Sequence, residues 1–274
     1  MFNDLGVAFR ARAQALCGLL FFLWALTSQG CGRWGYDAVA LPDETVTLLD
    51  GGAGDAAGFD AADNAPTNIT LPYQQDFEAL SATWTGKFIG SDAVAERDKG
   101  RQHDGDASLK CSKGAATGLR YVEVALAKAL TTGEIYSRVF LYAPSSWNVE
   151  SWLVPMEMKG TTTHDNKFSF DLLLTGYGTN LSGERPSTTP NATLPRDKWV
   201  CIELALGLSA TKGWSRLYVD GKLADERSNV NTLLRDSDPG IKRFRVGLIP
   251  APTQGSAEMW FDDWSIATTR IGCL

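Results

Sequence analysis

Through much of the chain, hydrophobic and polar residues alternate with a period of two. The segments Ile135 to Tyr142 (IYSRVFLY), Lys167 to Leu172 (KFSFDL), Trp199 to Leu204 (WVCIEL) and Ser215 to Gly221 (SRLYVDG) all follow it. Such alternation predicts half-buried β-strands. Turn-forming residues separate these segments at Pro144, Gly160, Gly176 to Gly178, Pro186 to Pro195, Gly207, Asp220-Gly221 and Pro239-Gly240. Only Val122 to Leu130 has a pattern that a helix would also satisfy, and its Val-rich start suits a strand equally well. With no internal repeat, the expected fold class is all-β, an antiparallel β-sandwich of jelly-roll type.

The same parity sorts side chains into two faces. Ser137, Val139 and Leu141 suit a core, as do Phe168, Phe170 and Leu172, then Val200, Ile202 and Leu204, then Leu217 and Val219. Tyr136, Arg138, Phe140, Asp171, Glu203, Arg216 and Tyr218 turn outward, and Glu157 completes the candidate set. Aromatic rings beside planar charged groups are the chemistry of sugar recognition: rings stack on C–H surfaces while carboxylates and guanidinium groups take hydroxyl pairs. Packing beneath loops, or pairing across strands, is the alternative use of the same side chains.

The N-terminal region reads differently. Arg10 and Arg12 precede the apolar run Ala15 to Leu26, which ends in Thr27-Ser28-Gln29-Gly30-Cys31. As a helix that run rises about 18 Å, against about 30 Å of hydrocarbon, so an export signal over residues 1–30 fits better than a membrane span. The segment Ser28-Gln29-Gly30-Cys31 resembles a bacterial lipobox, with Ser28 where Leu is usual. That resemblance implies a lipid anchor on Cys31; an ordinary secreted protein cut near Gly30 is the alternative. Gly32, rather than Asp, follows the Cys, and the resemblance then implies the outer membrane of a bacterial envelope. Residues 51–66 (GGAGDAAGFDAADNAP) read as a tether, so that residues 31–68 link the anchor to one domain over residues 69–274.

Composition narrows the chemistry. A formal net charge of −6, from 26 Lys and Arg against 32 Asp and Glu, argues against nucleic acid as a partner. Two His and five Cys leave little for a zinc site, and no motif for an organic cofactor is present. In an exported domain Cys111, Cys201 and Cys273 allow one disulfide and one free thiol, the pairing being open at this level.

Several segments in order resemble the concanavalin A-like jelly-roll superfamily, in its laminin G-like and polysaccharide-lyase-like bacterial members. They are Asp76-Phe77-Glu78 with Trp84, which resembles that superfamily's first strand, then Gly105 to Leu109, Trp199 with Glu203, Leu217 to Gly221, Phe261 to Trp264, and Arg270 to Cys273. The resemblance spans about residues 70 to 274 and implies two curved sheets whose concave side binds or cleaves polysaccharide. It also implies a structural Ca²⁺ held by Asp76, Glu78, Asp104 and Asp262 or Asp263, hard oxygen donors that suit this ion. Cys201 and Cys273 both lie in the resembling segments, which pairs them and leaves Cys111 free.

Catalysis has thinner support. No paired-carboxylate signature for glycoside hydrolysis is present. Tyr136, Arg138, Lys159, His164 and Tyr218 can supply a base and cations for a lyase, although His164 and His103 both sit in polar turns. The sequence therefore favours a non-catalytic, lipid-anchored carbohydrate-binding protein, with a lyase acting on an acidic glycan, or a structural or protein-binding envelope module, as alternatives.

Overall fold

A computed structural model describes residues 68–78, 93–114, 119–160, 167–182, 187–190, 192–233, 239–250 and 253–273. The lipobox, the tether, Trp84 and His164 lie outside the described residues. Among the described residues there is no helix, and the fold is a β-sandwich. The seven-stranded sheet runs β1 (Asn68–Ile69), β5 (Arg120–Leu130), β14 (Ile241–Pro250), β7 (Trp152–Lys159), β8 (Lys167–Leu173), β9 (Gly176–Leu181) and β10 (Ser187–Pro190). The eight-stranded sheet runs β13 (Lys222–Val230), β12 (Gly213–Val219), β11 (Trp199–Leu208), β6 (Gly133–Tyr142), β15 (Ala257–Ala267), β4 (Ser108–Lys113) and β3 (Ala93–Asp98), with β2 (Tyr73–Gln75) on β15. Every ladder is antiparallel except β1 on β5, which is parallel.

The inward faces follow the two-residue period. Val122, Val124, Phe244, Val246, Met156, Met158, Phe168 and Phe170 from one sheet join one buried cluster with Ile135, Val139, Leu141, Ile202, Leu204, Leu217, Phe261 and Trp264 from the other. Burying this apolar surface between two stacked sheets is the main term holding the fold together. Trp264 is fully buried, its indole N–H donating to Ser137 Oγ at 3.1 Å and Tyr73 meeting its ring edge-on. The ambiguous segment from Val122 is strand, because its alternate residues are shared between this core and the opposite face.

Local chemistry sets the connections. Asp220 and Gly221 both have positive φ (48° and 74°) and join Val219 to Lys222, the two-residue hairpin that an Asp-Gly pair favours. Asp76 to Glu78 follows β2 rather than forming the first strand: Phe77 has φ 57° and drops into the core, which ends the extended run.

Cys201 and Cys273 are bonded, with Cα atoms 5.9 Å apart, and the buried Cys111 is free. The bond holds the segment after β15 against β11. Burial in apolar surroundings pushes the Cys111 thiol well above its ordinary range. Opening the cross-link by Cys273→Ser removes closure of a loop with sequence separation 72. Urea unfolding should register a loss of about 4 kcal/mol on the chain-entropy account. In the same experiment Cys111 should react with a thiol reagent only once the chain unfolds.

Candidate functional site

The outer face of the seven-stranded sheet carries an ordered set of charges. Alternation along the strands turns Tyr121 and Glu123 of β5, Arg243 and Arg245 of β14, Glu157 and Lys159 of β7, and Lys167, Ser169 and Asp171 of β8 away from the core. Register then aligns them across strands. Arg245 stands opposite Glu123 on one side and Glu157 on the other, and Glu157 in turn faces Ser169. The next row places Arg243 opposite Lys159, and Lys159 opposite Lys167.

Arg245 bridges the two carboxylates: Nη1 donates to Glu157 Oε1 at 2.8 Å and Nε donates to Glu123. Arg243 adds a contact to Glu123 at 3.5 Å, and Lys159 Nζ lies 3.8 Å from Glu157. The Arg245 guanidinium also lies over the Tyr121 ring, 4.3 Å from its centroid. Although they face away from the core, Glu123, Glu157, Lys159 and Tyr121 are all buried. Charges so placed persist only when paired.

Burial sets the protonation. It pulls the Lys159 ammonium below its ordinary value, with Glu157 opposing, and pushes the Tyr121 hydroxyl up to about 12. Asp171 is raised by burial although Ser169 Oγ donates to it at 2.6 Å. Burial works against the Arg245 charge, yet the Glu157 and Glu123 carboxylates outweigh it and hold the group above its usual value. The face thus holds a lysine whose ammonium is disfavoured by burial and, two strands away, a tyrosine that keeps its proton.

A band low in side-chain bulk borders this ionic row. Gly247 lies opposite Tyr121, and Gly178 lies opposite Asp171. Gly247 has φ 146°, and a Cβ there would stand 2.2 Å from the Arg120 carbonyl oxygen, so only glycine fits. Extra residues interrupt β14 between Val246 and Ile249, and β7 between Leu153 and Met156. Pro155, with no N–H for the ladder, sits in the second of these bulges, where bulges bend a sheet. Beyond the band Trp152, half-buried, faces Leu173.

The outward residues selected from sequence divide between two faces. Glu157 and Asp171 lie on the seven-stranded sheet, whereas Tyr136, Arg138 and Phe140 of β6, Glu203 of β11, and Arg216 and Tyr218 of β12 lie on the outer face of the other sheet. One groove therefore cannot contain them all. The chain's own segments cover most of the second group. His103 stacks on Phe140 with centroids 3.6 Å apart, and Arg101 fits between Tyr142 and Trp260 at 3.9 and 4.2 Å. At the other end Ile271 packs against Tyr136 and Tyr218, Arg270 lies over Tyr218, and Glu203 accepts N–H bonds from Ile271 (2.9 Å) and Gly272 (3.3 Å). Arg138 donates to Ser265 Oγ, and Arg216 pairs with Glu226.

Four of the five carboxylates expected to hold calcium accept backbone N–H bonds, and the fifth, Asp263, meets a side chain. Asp76 accepts from Glu78 N, and Glu78 accepts from Asp106 N and Ala107 N while pairing with Arg97. Asp104 accepts from Gly105 N, Asp262 accepts from His103 N and Asp263 N, and Asp263 meets His103 Nδ1 at 2.6 Å. Burial pushes Asp262 up to about 6. Among the described residues no three His, Cys, Asp or Glu side chains form a group able to hold a metal. Asp262 and Asp263 fasten the loop after β3 to β15.

Sequence reasoning named Lys159 and missed Tyr121, Glu123, Trp152, Lys167, Arg243 and Arg245. Tyr121-Val122-Glu123-Val124 and Arg243-Phe244-Arg245-Val246 carry the alternation that would have found four of them.

No protein-family model matches the chain, and a search of curated proteins finds no match. Solved structures do resemble it. An endo-β-1,4-glucuronan lyase from the fungus Trichoderma reesei is 18% identical with a TM-score of 0.57, over 72% of this chain and 95% of that one. The cellulose-induced protein Cip1 is 21% identical with a TM-score of 0.60, over 74% and 100%. A variant of the alginate lyase Aly36B, in complex with an alginate trisaccharide, is 9% identical with a TM-score of 0.53, over 75% and 100%. At these identities the likeness is one of fold.

Arg245 is the keystone of the ionic row. Replacing it by Met removes the short hydrogen-bonded partner of two buried carboxylates and leaves them the longer contacts to Arg243 and Lys159, and equilibrium unfolding should show a loss of about 3 kcal/mol. Adding Glu157→Gln to that variant should recover part of the loss.

Proposed function

We propose that the chain binds an acidic polysaccharide on the outer face of the seven-stranded sheet. The observation that carries this reading is the row Arg243, Lys159 and Lys167, three cations side by side on adjacent strands, with the half-buried Trp152 on the same face. Arg245, Arg243 and Lys159 share the two carboxylates Glu123 and Glu157, so that the cations on this face outnumber their partners, and Lys167 beside them makes no ion pair among the described residues and can meet a ligand carboxylate. A pyranose ring can stack on Trp152 through its C–H face. The fold likeness to a glucuronan lyase and an alginate lyase supports the same ligand class.

Cleavage is the second reading, favoured by Lys159, a buried lysine in the middle of the cation row. A lyase removes the proton on C5 of a uronate, breaks the C4–O bond to leave a C4–C5 double bond, and protonates the departing oxygen. Lys159, whose ammonium is disfavoured by burial, suits the base. Incubation with alginate and with glucuronan separates the readings. Retardation in an affinity gel without ultraviolet absorbance from unsaturated products supports binding alone. Absorbance that Lys159→Met abolishes establishes the lyase, and neither signal on either glycan overturns the proposal.

The placement at a membrane is a separate proposal, resting on the Ser28 to Cys31 segment. Expressed in a Gram-negative host fed a labelled fatty acid, the chain should carry the label, and Cys31→Ser should abolish it.

A further inference from the structure

Lys167 opens β8, and Trp152 faces Leu173 at that strand's other end. A strand advances about 3.3 Å per residue, so the backbone positions lie about 20 Å apart along the ladder. Yet Lys167 Nζ stands 6.0 Å from the centroid of the Trp152 ring. Such a contact requires both side chains to lie flat along the outer face and reach toward one another. Between their ends are Ser169 and Asp171 of β8 and Glu157 of β7. Ser169 and Glu157 are only 0% and 3% exposed although they point away from the core. Lys167 makes no ion pair among the described residues, while its charge acts on both Lys159 and Asp171.

An ammonium resting on an aromatic face is weakly held, whereas a hydrogen bond from ammonium to carboxylate is among the stronger polar contacts. A uronate can therefore take the ring for its C–H surface and the ammonium for its carboxylate. A neutral sugar must displace the ammonium from the same ring and leaves it without a partner.

We propose that Lys167 selects acidic over neutral sugars, its ammonium standing over the Trp152 ring at 6.0 Å in the free protein, in the path of a stacking sugar, and moving to the ligand carboxylate in the complex. This inference rests on the acidic-polysaccharide reading of this face. Calorimetry on the full chain with a β-1,4-oligoglucuronate, and with the cello-oligosaccharide that is its carboxyl-reduced counterpart, tests it. The native chain should prefer the oligoglucuronate. Lys167→Met should weaken that binding about tenfold, strengthen binding of the cello-oligosaccharide and so collapse the preference. Lys167→Arg should keep it, which separates lost charge from disturbed folding. An unchanged preference in Lys167→Met, with the native chain binding well, overturns the role of Lys167 and spares the acidic-glycan reading. A native chain that binds neither sugar, or prefers the neutral one, overturns both.

Discussion

The apolar layer between the two sheets is the constraint on which everything else depends. Phe168, Phe170 and Phe244 from one sheet and Leu141, Phe261 and Trp264 from the other are among its fully buried members. Because a strand has a period of two, any strand that commits one face to this layer must present its remaining residues on the outside. A sandwich has two outsides, and their fates differ here.

On the eight-stranded sheet the outside is largely used by the chain itself. The loop bearing Arg101 and His103 lies on Phe140, Tyr142 and Trp260, and the disulfide-linked segment from Arg270 lies on Tyr136, Tyr218 and Glu203. These aromatic and charged groups form a second, smaller set of contacts outside the main core. Glu203 shows how far that use goes: a fully buried carboxylate on a sheet exterior, its Oε1 accepting from two backbone N–H groups of the tail and its Oε2 lying 3.6 Å from Arg270 Nε. On the seven-stranded sheet the outside instead holds paired charges, with Arg245 between two carboxylates and three cations in the adjoining row. Polar groups held in a protected setting and spaced by strand register are what ligand recognition needs, since the side chains are positioned before a ligand arrives.

Much of the fold was legible in the sequence. The inward assignments at Ser137, Val139 and Leu141, at Phe168 to Leu172 and at Val200 to Leu204 hold because period and burial are local properties. The Asp220-Gly221 turn was legible for the same kind of reason, since positive φ at two successive positions restricts the residues that fit. The pairing of Cys201 with Cys273 came from resemblance to a fold and agrees with the structure. Asp76 to Glu78 was misread as strand because a buried aromatic can reach the core from a turn as well as from an extended run.

By itself, then, the sequence determined the class of fold, the parity of each strand and the chemistry available on the outward faces. Which sheet each strand joins was decided only by the tertiary structure. Parity is the same whether β8 stands beside β7 or beside β6, so Asp171 could not be separated from Arg138 on local grounds. Strand order alone brings Glu123, Arg245 and Glu157 into one row, from positions far apart in the chain. Coverage is equally non-local: nothing in Tyr136 or Phe140 says that a distant loop or tail will settle on it, because that depends on where the chain returns after crossing the sandwich.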